Sequence, residues 1–255
     1  MSENINSSLE VLSDASIMID DLERDIYRFF KSDPYQRFIE HDANRRTDTH
    51  KIKLIREIPA LFRNKTRHIA SDIRSSLDNI GYAASVATGK LNPSKTYFPF
   101  ASAESEASNI RERNCRDFPQ EIFDVFWSFE PFLGGDEILW ALNEIANCNK
   151  HRSVVPVGHG LDGRQIIQDY SCDGLCHSMA FPPTWDSSKN EMILFVVDSA
   201  ANTDYNIHLG FDICFEDINV LRGHSTLIAL KHLCSLAKSI AHSAHAEGMR
   251  IGIFN

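Results

Sequence analysis

One stretch constrains this chain more than any other. Between Pro59 and Gly89, the apolar residues Leu61, Ile69, Ile73, Leu77, Ile80 and Ala84 recur at helical spacing with polar residues between them. Proline is tolerated in a first helical turn, and glycine is a common residue just past a last one. The spacing therefore predicts one long helix over Ala60–Ala87 with a single apolar face. Such a face must be covered, so the rest of the chain has to supply a core against it.

The flanking segments suggest what that core is. Ile17, Ile19, Leu22, Ile26, Phe29 and Phe30 mark a helix over Ala15–Phe30 that stops before Pro34. Tyr35–His41 and His50–Ile58 read as a hairpin around the polar turn Asp42–Asp48. Lys90–Glu106 reads as a loop with an extended piece at Thr96–Phe100. A short helix over Glu104–Asn114 follows, then a helix opening at Pro119. Asp136 is placed to cap a further helix, Glu137 to about Lys150. After Arg152 the pattern changes to short runs, Ser153–Val157, Leu175–Phe181, Met192–Val197 and Ile207–Phe215, which predict three or four antiparallel strands. A helix from about Gly223 to Glu247 closes the chain. The expected fold is α+β: a helical bundle-like layer packed with a small antiparallel sheet. Residues 13–255 form a single domain in this reading, behind a flexible leader over residues 1–12.

Charge narrows the partners. A formal net charge of −9 opposes extensive non-specific binding to nucleic acid or anionic membrane, though it leaves room for a local basic pocket. No apolar run is long enough to cross a bilayer, and the polar start Met1–Val11 is unlike a signal peptide. The six cysteines are scattered through a chain large enough to build its own core, which predicts mostly buried thiols in a cytoplasmic, reducing setting.

Three polar groups are candidates for function. Arg67, Ser71, Arg74 and Asp78 share one face of the long helix. Arg74 and Asp78 are spaced for an intrahelical ion pair, or for a carboxylate that aims the arginine at an anionic ligand. Asn143, Glu144, Asn147, Lys150, His151 and Arg152 crowd the end of the helix that starts at Glu137, where cations also favour the helix dipole. Arg63 and His68, with Asn64 between them, put an anion-stabilising group and a proton shuttle within little more than a turn.

Metal ligands are sparser. Cys172, Cys176 and His177 offer one cluster without a second at zinc spacing, and His242 and His245 share a face of the last helix. The expectation is no metal and no cofactor. A phosphate-binding glycine loop, a dinucleotide fingerprint and a nucleophile-elbow serine are all missing from the sequence.

Two of these stretches resemble a family of uncharacterised bacterial and phage-borne proteins. Residues 70–80 are similar to a helix that reads Asn-Leu-Arg-Ser-Ala-Leu-Asp-His-Leu in that family, matching at Arg74, Ser75, Leu77 and Asp78. Residues 139–152 resemble its Leu-x2-Leu-x4-Asn-x2-Lys-His-Arg helix, matching at Asn147, Lys150, His151 and Arg152. The opening helix and hairpin, to about Ile58, are also similar. The chain departs from the family at Asp72 and Asn79, where asparagine and histidine are usual. A more distant resemblance is to helical HEPN-type domains, many of them metal-independent ribonucleases, through Arg63, Asn64 and His68. It implies that Arg63 stabilises a phosphorane-like state, His68 acts as general acid and base, and Asn64 orients the phosphate. The main expectation is a non-enzymatic binding or interaction module, with a homodimer or another protein as its partner. A HEPN-like ribonuclease or phosphate-ester-binding protein is the alternative.

Overall fold

In a computed structural model, residues 3–147, 154–160, 167–179, 185–186, 188–207 and 209–254 are described. The fold is mixed α+β, with a helical layer and a small antiparallel sheet. The chain divides into two compact units rather than the single domain expected. One contains residues 1–23, 61–153 and 215–255, and the other residues 24–60 and 154–214. Sequence order hides this division, because each unit is assembled from separated stretches.

The helical unit contains most of α1 (Glu3–Lys31), together with α2 (Ala60–Ala87), α3 (Ala107–Asn114), α4 (Gln120–Trp127), α5 (Glu137–Asn147) and α6 (Thr226–Arg250). Helix α1 begins at Glu3, so the expected flexible leader is replaced by helix. The reason is a stripe at spacings of three and four: Ile5, Ser8, Leu12, Ala15, Ile19, Leu22 and Ile26 are all buried. Ser8 lies in that stripe and masks its periodicity in the sequence. Helix α2 has the predicted bounds, but its first apolar contact is Phe62, while Leu61 is 49% exposed. Asp136 caps α5 as expected, accepting the Leu139 N–H at 2.9 Å. Ser225 does the same for α6 through Ile228. Helices α4 and α5 pack on α6, and the Cys234 thiol of α6 donates to the Leu12 carbonyl of α1.

An aromatic cluster fills the end of this unit. Phe98 and Phe118 meet Phe126 with ring centroids 5.0 and 5.6 Å apart, and Phe123 stacks on Trp127. The Lys90–Glu106 loop delivers Phe98. Asp117 secures the start of that loop, accepting the Ser94 and Lys95 N–H groups at 2.8 Å each and pairing with Lys90 at 3.0 Å. These donors hold the Asp117 carboxyl at about 2, well below its ordinary range.

The second unit is built on antiparallel strands. β1 (Tyr35–Asp42) and β2 (Thr47–Leu54) form the predicted hairpin, whose turn is organised by Asp42 accepting the Asn44 and Arg45 N–H groups. The later strands are β3 (Val154–Gly160), β4 (Ile167–Asp173), β5 (Cys176–Met179), β6 (Trp185–Asp186), β7 (Glu191–Asp198), β8 (Asn202–Ile207) and β9 (Leu209–Phe215). The main sheet runs β1-β2-β7-β5, with β6 also on β7. β3 pairs with β9 and β4 with β8 in two short ribbons. Strands β4 and β8 fall outside the predicted runs, because Gln168, Asp169, Asp173, Asp204 and Asn206 break their apolar pattern. Ile52, Met192, Leu194, Phe195 and Val197 form the core here, and Tyr170, Cys172, Cys176 and Tyr205 pack against it.

Candidate functional site

Two of the three polar groups singled out in the sequence meet. Arg74 of α2 donates from Nη1 to Asn147 Oδ1 of α5 at 2.8 Å. Asn147 in turn donates from Nδ2 to Asn143 Oδ1 at 2.9 Å. The chain Arg74–Asn147–Asn143 is thus a polar strut between two helices. Three members of the second group, Lys150, His151 and Arg152, lie outside the described residues.

Asp78 does not close the expected ion pair with Arg74. Its Oδ1 accepts the Phe98 N–H at 2.7 Å, where the loop runs along α2. Burial raises the Asp78 carboxyl above its ordinary value, and the Phe98 N–H and the Arg74 charge only partly offset this. One turn further along α2, Gly81 lets the Thr96 carbonyl lie against the helix; a Cβ there would sit 2.3 Å from that oxygen. Asp78 and Gly81 therefore position Phe98 for the aromatic cluster. They hold a loop, and Arg74 holds a neighbouring helix.

Arg63 and His68 are both on α2, but five residues turn the helix by about 500°, leaving them roughly 140° apart. Arg63 is half-buried and His68 exposed. His68 lines a cavity of about 180 Å³ with Met18, Asp21, Lys65 and Ile69, and Arg63 is not part of that lining. Its lining pairs one acidic side chain, Asp21, with one basic side chain, Lys65. Asp72 feels the charges of both His68 and Asp14, and burial raises its carboxyl.

The metal candidates separate in a similar way. Cys176 and His177 are consecutive in β5, where the register on β7 shifts, and they meet different partners. His177 Nε2 lies 2.7 Å from Asp198 Oδ1, whereas Cys176 packs on the core. On α6, His245 stacks on Phe254 and is lowered chiefly by burial, while His242 is exposed. No three His, Cys, Asp or Glu side chains are grouped for a metal ion among the described residues.

Sequence reasoning missed two further clusters. His41, Asp48 and Ser199 form a hydrogen-bonded group, but Asp48 Oδ1 at 2.5 Å and Ser199 Oγ at 3.2 Å share the same ring nitrogen, Nδ1. A relay from a nucleophile through histidine needs the two partners on opposite nitrogens, so this group fixes the strand ends. In the sequence His41 and Asp48 are simply hairpin residues, and Ser199 arrives from 151 positions beyond Asp48. Arg111 is the second. It donates to Gln120 Oε1 at 2.8 Å and to the Cys115 and Phe118 carbonyls, and it lies over the Phe118 and Phe123 rings. Beside it a groove of about 420 Å³ opens between α3 and α4, lined also by Glu112, Arg116, Asp124 and Trp127.

Comparisons with protein-family models, with curated proteins and with solved structures find no match to this chain. No helix among the described residues is long and apolar enough to cross a membrane.

The strut can be measured directly. In a double-mutant cycle, Arg74→Ala and Asn147→Ala are expected to show a coupling of about 0.5–1.5 kcal/mol in urea unfolding, the usual net value of one hydrogen bond. Strictly additive losses would mean that the two side chains do not act on each other.

Proposed function

We propose that this chain is a non-catalytic binding module with a protein partner or a second copy of itself as ligand. The observation that carries this reading is how the conspicuous polar groups of α2 and α5 are spent. Arg74 and Asn147 bind each other, and Asp78 binds backbone. These contacts tie α2 to α5 and to the loop at Phe98, and they do not converge on a scissile bond. The groove beside Arg111 suits recognition better. Its aromatic floor, Phe123 stacked on Trp127, is rimmed by charges of both signs, and tryptophan and arginine are enriched where proteins bind one another. The resemblance at Arg74–Asp78 and at Asn147 supports a bacterial setting. The free thiols Cys172 and Cys176, both partly exposed, support a cytoplasmic one.

One observation favours a second reading, a HEPN-like metal-independent ribonuclease: His68 is exposed beside Lys65 at an opening. A fluorescent single-stranded RNA incubated with the whole protein in a metal chelator separates the two. The binding-module reading expects no cleavage above that of an Arg63→Ala/His68→Ala double variant. Cleavage by the wild type that the double variant abolishes would establish the ribonuclease and overturn the binding-module reading.

A further inference from the structure

The second unit carries a pair of thiols that the binding-module reading does not use. Cys172 lies near the end of β4 and Cys176 at the start of β5, with Asp173, Gly174 and Leu175 between them. The two strands do not pair with each other: β4 lies on β8 and β5 on β7. The link between them turns at Gly174, whose φ is +139°, a backbone conformation open mainly to glycine. This turn is pressed against the β7–β8 turn. A Cβ on Gly174 would sit 2.7 Å from the Ala201 Cβ, and the Asp198 N–H donates to the Leu175 carbonyl at 3.0 Å.

Each thiol donates to a nearby backbone carbonyl, Cys172 to Gly174 and Cys176 to Ser178, both at 3.6 Å. Cys172 and Cys176 pack on the same core cluster, and each remains partly exposed. They also share a neighbour. The Tyr170 hydroxyl is shut off from solvent without a hydrogen-bond partner of ordinary geometry, and the Cys176 and Cys172 thiols are the groups beside it. The other described cysteines differ. Cys115, Cys214 and Cys234 are buried, and burial pushes the first two thiols up to about 12, out of reach of thiolate chemistry.

We propose that Cys172 and Cys176 form a reversible dithiol site that a hydroperoxide oxidises to an intramolecular disulfide. One thiolate attacks the peroxide oxygen and becomes a sulfenic acid, releasing hydroxide or an alkoxide. The second thiol displaces the sulfenic oxygen, forming the S–S bond and releasing water. Two electrons leave the sulfur pair and reduce the peroxide. The cross-link joins the β4–β8 ribbon to the main sheet beside Tyr170, and a small thiol reductant reverses it by exchange.

The sequence provides a clean readout, because cleavage after Arg164 and Lys189 releases one peptide holding these two cysteines and no other. The folded whole protein is treated with hydrogen peroxide, alkylated with N-ethylmaleimide, digested and weighed. The expected product is that peptide lighter by two hydrogens and unalkylated, returning to doubly alkylated after dithiothreitol. In Cys172→Ser and Cys176→Ser, the remaining thiol is expected to stop at a sulfenic acid that dimedone captures. Full alkylation of both thiols after peroxide, or independent oxidation of each to sulfinic acid in the wild type, would overturn the proposal. Far-ultraviolet circular dichroism of each variant before treatment confirms that the thiols are tested in the folded chain.

Discussion

Replacing Gly81 by alanine is expected to destabilise the protein by about 2–4 kcal/mol, at or above the upper range of overpacking a tight core. The new Cβ would lie 2.3 Å from the Thr96 carbonyl oxygen and 3.1 Å from the Phe118 ring. The oxygen belongs to backbone, so no rotamer change relieves the contact, and the loop has to move off α2. Phe98 moves with it, which breaks the 5.0 Å contact with Phe126. Gly89→Ala is the control: its φ is +82° and nothing lies within 4 Å of a Cβ there. It carries only the left-handed backbone penalty of about 1 kcal/mol. Urea unfolding of both variants checks the contrast. Equal losses at Gly81 and Gly89 would show that the loop is not seated on the helix as described.

Gly81 also shows where the sequence was legible and where it was not. The stripe of Ile69, Ile73, Leu77, Ile80 and Ala84 placed α2, because burial along one element is written in its own period. A glycine in that stripe lowers helix propensity. Which neighbour approaches it depends on a loop whose own pattern carries little information. The same contrast holds in the sheet unit. β2 and β7 were readable because Ile52, Met192, Leu194 and Phe195 line a core, whereas β4 and β8 are largely polar and become strands by pairing with each other.

The candidate site divides along the same line. Arg74, Asp78 and Asn147 could be named from spacing, since spacing decides which residues share a helix face. Their partners could not, since Arg74 meets a residue 73 positions away. Arg63 and His68 were drawn together by a short pattern, and helix geometry then separates them around α2. Ser199 approaching His41 and Asp48 has no local signature at all, because strand pairing across the sheet creates that proximity.

Asp78 gives the second large effect, and its two obvious substitutions should differ. Asp78→Ala removes the acceptor of the Phe98 N–H and leaves a part-buried donor unpaired, at an expected cost of about 2–3 kcal/mol. Asp78→Asn keeps an oxygen in the same place and removes a charge that burial disfavours. Because the folded-state carboxyl is raised above its value of 3.8 in the open chain, its contribution is most favourable below that value. It is lost as pH rises, since the unfolded chain ionises first. The asparagine variant does not titrate there. Its stability relative to wild type should therefore rise between acidic and neutral pH and reach or exceed wild type near neutrality. Urea unfolding at both ends of that range measures the difference. An asparagine variant as unstable as the alanine one would mean that the Asp78 charge, through its attraction to Arg74, holds the loop, and that the hydrogen bond to Phe98 is secondary.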